Sequence, residues 1–206
     1  MAQKWIYLSI FGGVVLVISE LVWHLIKKYR NNLQLTDNKK TISEVLLFSD
    51  ASKYCRNHAF GNPCNNECPA AKLKQLISYL DSSMHTLDIC MYVITCQSIA
   101  EAIIRAQRRR VDVRIIVDAG MAENEACANK LNQMRDAGVL VRMARSADSL
   151  MHHKFGIIDQ KIMIYGSTNW TMQAFFGNFD GIIITNQAGL VKPLIIEFNR
   201  IWEEIK

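Results

Sequence analysis

MHHKFGIIDQKIMIYGSTNW, from Met151 to Trp170, is the stretch whose reading decides the fold. Two apolar runs, His152–Ile158 and Ile162–Tyr165, flank Asp159-Gln160-Lys161, which reads as a tight turn, so an antiparallel hairpin is expected. Alternate side chains of a strand share a face, which puts His152 and Lys154 on one side and His153 on the other. Ser167 and Asn169 share a face in the same way, just past the end of the second strand. Pairing around the turn brings His152 and Lys154 alongside Ser167 and Asn169. An imidazole beside an ammonium, a hydroxyl and an amide offers one nucleophile or proton carrier and several donors suited to phosphate oxygens. The segment holds neither a carboxylate cluster for a metal nor a glycine-rich phosphate loop. Asp159, at an odd offset from His152, falls in the turn or on the opposite face and reads as the residue that holds the hairpin.

Outward from the hairpin, strands alternate with helices. Strands are expected at Val45–Phe48, Leu87–Ile94, Val113–Val117, Val139–Met143 and Gly181–Thr185. Helices are expected at Ala70–Ser83, Ser98–Arg108, Glu125–Ala137 (stopped by Gly138) and Lys192–Ile205. The nearly continuous apolar run at 113–117 suits a sheet covered on both faces. The pattern predicts an α/β domain over residues 44–206, with a mixed, mostly parallel sheet flanked by helices and no internal repeat. Trp170 is read as a core aromatic or as a wall of the groove, and His153 as packed behind the site.

The N-terminal segment from Trp5 to Ile26 is apolar apart from Ser9, Ser19, Glu20 and His24. Its 22 residues suffice for a hydrocarbon core of about 30 Å. Lys27, Lys28 and Arg30 follow it, so residues 1–32 are expected to form a membrane helix with a basic flank, leaving the C-terminal domain facing the cytosol. Residues 33–43 read as a polar linker. The formal charge of +5 divides into +3 over residues 1–32 and +2 over the rest, so much of it is membrane flank. A positive field at a substrate must then come from local clustering. The clearest cluster is Arg105, Arg108, Arg109, Arg110 and Arg114, which either complements a helix C-terminus or tracks phosphates.

Cys55-x2-His58-x5-Cys64-x3-Cys68 offers four zinc-capable ligands in a loop with Gly61 and Pro63. A Cys3His set closes a tetrahedral site, so a structural Zn2+ is expected within a small finger-like insertion at 55–68. The other cysteines, Cys90, Cys96 and Cys127, lie in apolar or helical stretches and read as small buried hydrophobes of a reducing compartment.

The spacing His152-x-Lys154-x4-Asp159-x6-Gly166-Ser167-x-Asn169 resembles the signature of the phospholipase D superfamily. The surrounding residues, the N-terminal segment and the single motif copy are similar to its Zucchini/mitochondrial phospholipase D branch. That resemblance implies that His152 attacks phosphorus to form a phosphohistidine, with Lys154 and Asn169 on the non-bridging oxygens and Ser167 in support. It implies a homodimer, because two motifs make one active site, and chemistry without a catalytic metal or organic cofactor. The family's histidine-orienting carboxylate precedes the last strand, where this chain has Asp180. The branch implies a single-strand-specific endoribonuclease of piRNA biogenesis at the mitochondrial outer membrane, acting on single-stranded RNA. The alternative is a phospholipase D that hydrolyses cardiolipin, an anionic phospholipid, to phosphatidic acid. A non-catalytic membrane scaffold is a third reading, disfavoured by the intact His-Lys-Ser-Asn set.

Overall fold

The computed structural model describes residues 22–23, 41–145 and 149–205. The expected membrane segment lies outside them except for Val22 and Trp23, and no helix among the described residues is long and apolar enough to cross a membrane.

Strand β1 (Ser43–Phe48) leads into a 3-10 helix (Asp50–Phe60), then helix α1 (Pro69–Asp81) and β2 (Thr86–Met91). Helix α2 (Gln97–Arg108), β3 (Asp112–Asp118), the single-turn α3 (Ala119–Ala122), α4 (Glu125–Asp136) and β4 (Leu140–Ala144) follow. The hairpin is β5 (Lys154–Ile158) and β6 (Ile162–Gly166), and short α5 (Met172–Gly177), β7 (Asp180–Thr185) and long α6 (Ala188–Glu204) close the chain. The seven strands form one sheet in the order β1-β7-β6-β5-β2-β3-β4.

The sheet is mixed, but the expectation that it is mostly parallel is overturned. Only β2–β3 and β3–β4 are parallel among the described strands, and the other neighbouring pairs run antiparallel. The reason is connectivity. A parallel step needs a long crossover, which α2 and α4 supply, whereas β5 returns to β6 through the three residues Asp159, Gln160 and Lys161. Asp159 and Gln160 both have positive φ (+51 and +54), and Lys161 N–H donates to the Ile158 carbonyl at 2.9 Å. Those are the dihedral signs and the hydrogen bond of a type I′ turn.

Side-chain alternation in the central strands divides the core. Ile89 and Ile115 face Leu76, Ile99, Ile103 and Leu131 from α1, α2 and α4. Their neighbours Cys90 and Ile116 face the other way, with Phe155, Ile157, Val191, Phe198 and Ile201 from β5 and α6. Arg114 fastens α6 to the sheet: it is bidentate on Asp88 at 2.7 and 2.9 Å and reaches Asn199 at 3.1 Å. Its guanidinium also lies over the rings of Phe198 and Trp202.

Helix α6 begins a turn earlier than the apolar pattern indicated. Pro193 in its second turn forfeits the bond to the carbonyl of Gly189, and the Gln187 carbonyl takes the N–H groups of Leu190 and Val191. Gly138, at φ +93, ends the α4 segment as expected. The 3-10 helix, α3 and α5 are additions to the expected elements.

Gly166 marks the tightest approach in the sheet. A Cβ there would sit 1.9 Å from the carbonyl oxygen of Gly181 on β7, which is backbone and cannot swing away. Gly61, by contrast, has open space around its position. Gly166→Ala is expected to destabilise the domain by about 3 kcal/mol or more, at the top of the overpacking range, while Gly61→Ala leaves thermal unfolding nearly unchanged. Parallel melting curves of the two variants check this.

Candidate active site and metal cluster

The carboxyl ends of β2 and β3 and the starts of β5 and β7 meet at one end of the sheet. Lys154, the first residue of β5, pairs with Met91, the last of β2. It is only 8% exposed. Its Nζ lies 3.3 Å from both ring nitrogens of His152 and donates to the His152 carbonyl at 3.0 Å. Burial pushes the Lys154 pKa down, and the Asp180 carboxylate works against that shift. His152 precedes the strand rather than opening it and is exposed. The ring of Tyr92, the residue after β2, meets the imidazole edge to face at 4.6 Å and lies 5.1 Å from Lys154 Nζ.

Beyond β6, Ser167 Oγ donates to Asp180 Oδ1 at 2.5 Å and accepts the Gly181 N–H at 3.1 Å. Asn178 Nδ2 donates to the other Asp180 oxygen at 3.3 Å. Asp180 was expected to orient the histidine. It instead anchors Ser167 and faces Lys154, and no hydrogen bond joins it to His152 among the described residues. Each carboxylate oxygen of Asp180 is engaged by one of these nearer side-chain donors. Asn169 Oδ1 is buried with no hydrogen-bond partner among the described residues. The fold therefore brings His152 and Lys154 into contact, and Ser167 and Asp180 into contact, with the Lys154–Asp180 attraction linking the two pairs.

Asp159 lies at the far end of β5, roughly 15 Å from Lys154 at the usual strand rise. Its carboxylate accepts the N–H groups of His85 at 2.7 Å, Thr86 at 3.0 Å and Met84 at 3.1 Å. It holds the hairpin to the start of β2 and takes no part in the group around His152. Burial tends to raise its pKa, but those three N–H donors outweigh burial and hold it below the usual carboxylate value.

Two open readings close. Trp170 is 1% exposed, with its ring against Gly156, so it is core and not groove wall. His153 faces away from His152, with Nε2 3.4 Å from Glu197 and its ring on Phe155. Glu197 is held ionised chiefly by Arg200. A cleft of about 610 Å3 opens beside His152 and His153 towards α6. Most of the arginine run is consumed in structure: Arg105 is bidentate on Asp81, Arg109 reaches Asp81 and Ser83, and Arg114 clamps Asp88. The run also sits at the pole of the sheet opposite His152, where α2 ends and β3 begins.

Cys55, His58, Cys64 and Cys68 converge, their ligand atoms all within 4.8 Å of one another. Cys55 Sγ is 3.9 Å from Cys64 Sγ, and Cys68 Sγ is 3.6 Å from His58 Nδ1. Those are the edge lengths of a tetrahedron about 2.3 Å in radius, the Zn–S distance, so the four side chains fit a metal ion. Burial pushes the Cys68 thiol up, but hydrogen bonds from backbone N–H groups and His58 outweigh it and bring it down to about 6. Burial and the two neighbouring thiols push Cys55 up to about 11. A cation removes that conflict between crowded thiolates. The first two ligands sit in the 3-10 helix rather than in a bare loop. Cys90, Cys96 and Cys127 are free and fully buried, as expected of small hydrophobes.

Residues 76–202, more than half of the chain, match the family model described as "Cardiolipin synthase, PLD-like domain". The chain belongs to the phospholipase D superfamily. Within these phosphodiesterases it falls in the branch of the mitochondrial cardiolipin hydrolases. The protein of that name from Chlamydomonas reinhardtii is 32% identical over 82% of this chain and 76% of its own length. The one from Xenopus laevis is 33% identical over 81% and 79%. Among solved structures, the phospholipase D family member Nuc of Salmonella typhimurium is similar in fold, with a TM-score of 0.66, 20% identity, and coverage of 81% of this chain and 97% of that one. Tyr92 is the site residue that sequence reading missed. In MYVIT it looks like any aromatic of a strand, and only the crossing of β2 by β5 shows what it touches.

Asp159 gives this family member an acid-labile latch. A carboxylate whose folded pKa is depressed adds stability above its unfolded pKa of about 4, and that stability is lost as pH falls towards the folded value. Asp159→Asn is expected to cost about 1–2 kcal/mol at neutral pH and to flatten the melting temperature between pH 5 and pH 3, which calorimetry across that range checks.

Proposed function

We propose that the chain hydrolyses phosphodiesters of anionic phospholipids, cardiolipin first among them, to phosphatidic acid at a mitochondrial membrane. The contact of Lys154 with both nitrogens of His152 carries the chemical part of this reading, because it places a cation beside a nucleophile in a pocket suited to a phosphate. The names of the relatives support the substrate and the organelle. The single-stranded RNA reading now ranks second. It rests on the branch resemblance, and the arginine run that could have tracked a phosphate backbone has Arg105, Arg109 and Arg114 paired and lies at the pole opposite His152 of the same protomer.

In the proposed mechanism a lone pair of His152 forms a bond to phosphorus as the ester P–O bond breaks. The leaving alkoxide takes a proton from the imidazolium of His152 of the partner subunit. That imidazole then removes a proton from water, the oxygen attacks phosphorus, and the P–N bond breaks to regenerate His152 and release the phosphomonoester. Lys154 and Asn169 hold the non-bridging oxygens, and Ser167, fixed by Asp180, supports them.

A homodimer is part of the proposal, since one chain carries one motif. An uncovered apolar row supports it: Val45, Ile183 and Tyr165 are in register across β1, β7 and β6, at 61%, 44% and 44% exposure, beside Leu47 at 64%. Helix α6 covers the same face of the sheet over β5 and part of β6, and no other described element lies over this row. We further infer that the ion in the Cys55-His58-Cys64-Cys68 cluster is zinc with a structural role, and that residues 1–32 anchor the chain once through the outer membrane with the domain in the cytosol.

Full chain reconstituted in cardiolipin vesicles is expected to release phosphatidic acid, and His152→Asn to lower the rate at least a thousandfold while the protein stays folded. Cleavage of single-stranded RNA without phosphatidic acid release would reverse the substrate order, and unchanged turnover in the variant would end the nucleophile assignment. Elemental analysis is expected to find one zinc per chain, lost in Cys68→Ser together with thermal stability; a metal-free protein of equal stability rejects the zinc reading.

A further inference from the structure

His152 has an unusual lack of support for a nucleophile. It sits outside the β5 ladder, it is exposed, and its hydrogen-bonding and ring partners among the described residues are Lys154 and Tyr92. No carboxylate among the described residues is hydrogen-bonded to it, because Asp180 is engaged by Ser167 and Asn178. Something else must fix the imidazole plane, since a misplacement of about 1 Å can cost two orders of magnitude in rate.

Tyr92 is placed to do this. Its backbone N–H donates to the His153 carbonyl at 2.9 Å, which extends the β2–β5 pairing by one bond past the end of the ladder and pins the segment that carries His152. Its half-buried ring meets the imidazole at 4.6 Å with an interplanar angle of 61°, and the same ring lies 5.1 Å from Lys154 Nζ. The two groups that crowd each other at 3.3 Å are both cationic once the imidazole is protonated or bonded to phosphorus. A ring π-system attracts cations within about 6 Å of its centroid, so one aromatic side chain steadies both.

We propose that Tyr92 is the positioning residue of the nucleophile, setting the plane of His152 through its ring while the same ring holds the Lys154 ammonium beside it. The proposal rests on the phosphodiesterase reading for the role of His152, but the contact itself does not. The charged neighbours of the imidazole, Lys154 from β5, Arg145 after β4, and Glu197, Arg200 and Glu204 along the cleft from α6, are all retained in a Tyr92 variant. Lys154 shares the ring with His152, so rescue by a phenyl ring is the readout that reports the aromatic face.

The experiment compares the full chain with Tyr92→Phe and Tyr92→Leu on bis(p-nitrophenyl) phosphate, alongside NMR spectra of the His152 ring protons. Tyr92→Leu is expected to lower kcat about 10- to 100-fold with KM little changed. It is also expected to remove the ring-current displacement that an aromatic ring at 4.6 Å imposes on the imidazole resonances. Tyr92→Phe keeps the ring and is expected to restore both the rate and the imidazole shifts. A Leu variant with unchanged kcat overturns the proposal, as does a Phe variant as impaired as Leu, which would assign the effect to the hydroxyl. The ring-proton shifts are read whether or not any diester is hydrolysed. A full chain inactive on every diester whose imidazole shifts still respond to Tyr92→Leu sinks the phosphodiesterase reading and leaves the aromatic contact standing.

Discussion

Lys154 opposite Met91, the last rung between β5 and β2, is the point on which the rest of the structure depends. It joins a parallel half (β2, β3, β4), built by helical crossovers, to an antiparallel half in which β5, β6 and β7 follow through a hairpin and a short return and the N-terminal strand β1 closes the edge against β7. Where strands of opposite direction abut, the carboxyl end of one half meets the amino end of β5. Side chains just outside the two strands are thereby brought together without either strand bending. His152, before β5, and Tyr92, after β2, touch because that rung fixes their register. A slip of one residue would turn every side chain of β5 to the other face, exchanging Phe155 in the α6 core for Lys154.

The same rung decides the electrostatics. An ammonium almost free of solvent is costly: burial lowers the Lys154 pKa and the field of Asp180 works against that shift, while the amine is held by the His152 carbonyl and lies over the Tyr92 ring. Asp180 in turn accepts hydrogen bonds from Ser167 and Asn178, and no direct ion pair joins it to Lys154 among the described residues. The arrangement leaves a buried ammonium without a direct ion pair among the described residues, the condition in which an entering anion gains most from it. A tight Lys154–Asp180 pair would have stabilised the empty site at the expense of the bound one.

Much of this was legible in the residues, and the exceptions have physical causes. The hairpin followed from period-two alternation around Asp159, and the Cys/His cluster followed from spacing. The sheet's direction did not follow, because an apolar run such as Val113–Val117 reads the same in parallel and antiparallel company, and the partner of β2 on its far side is set by tertiary pairing. Tyr92 was invisible for a related reason: its contacts are 60 or more residues away in the chain, and nothing in its local pattern marks it. Asp180 entered through the family resemblance, which places a carboxylate before the last strand; its hydrogen-bond partners, Ser167 and Asn178, are set by tertiary structure and by the length of its side chain.

The arginine run shows where composition misleads. Five arginines within ten residues suggest a phosphate-binding surface, yet three of them are needed to hold the pole of the sheet that carries no chemistry. Arg105 and Arg109 neutralise Asp81 where α1 ends, and Arg114 ties Asp88 to α6. At the same pole Asp159 gathers three backbone N–H groups. Charge there is used in fixed pairs with matched geometry, which leaves little field for a ligand. At the opposite pole one lysine and one imidazole suffice, because burial and shared contacts, rather than number, give a cation its effect on a phosphate.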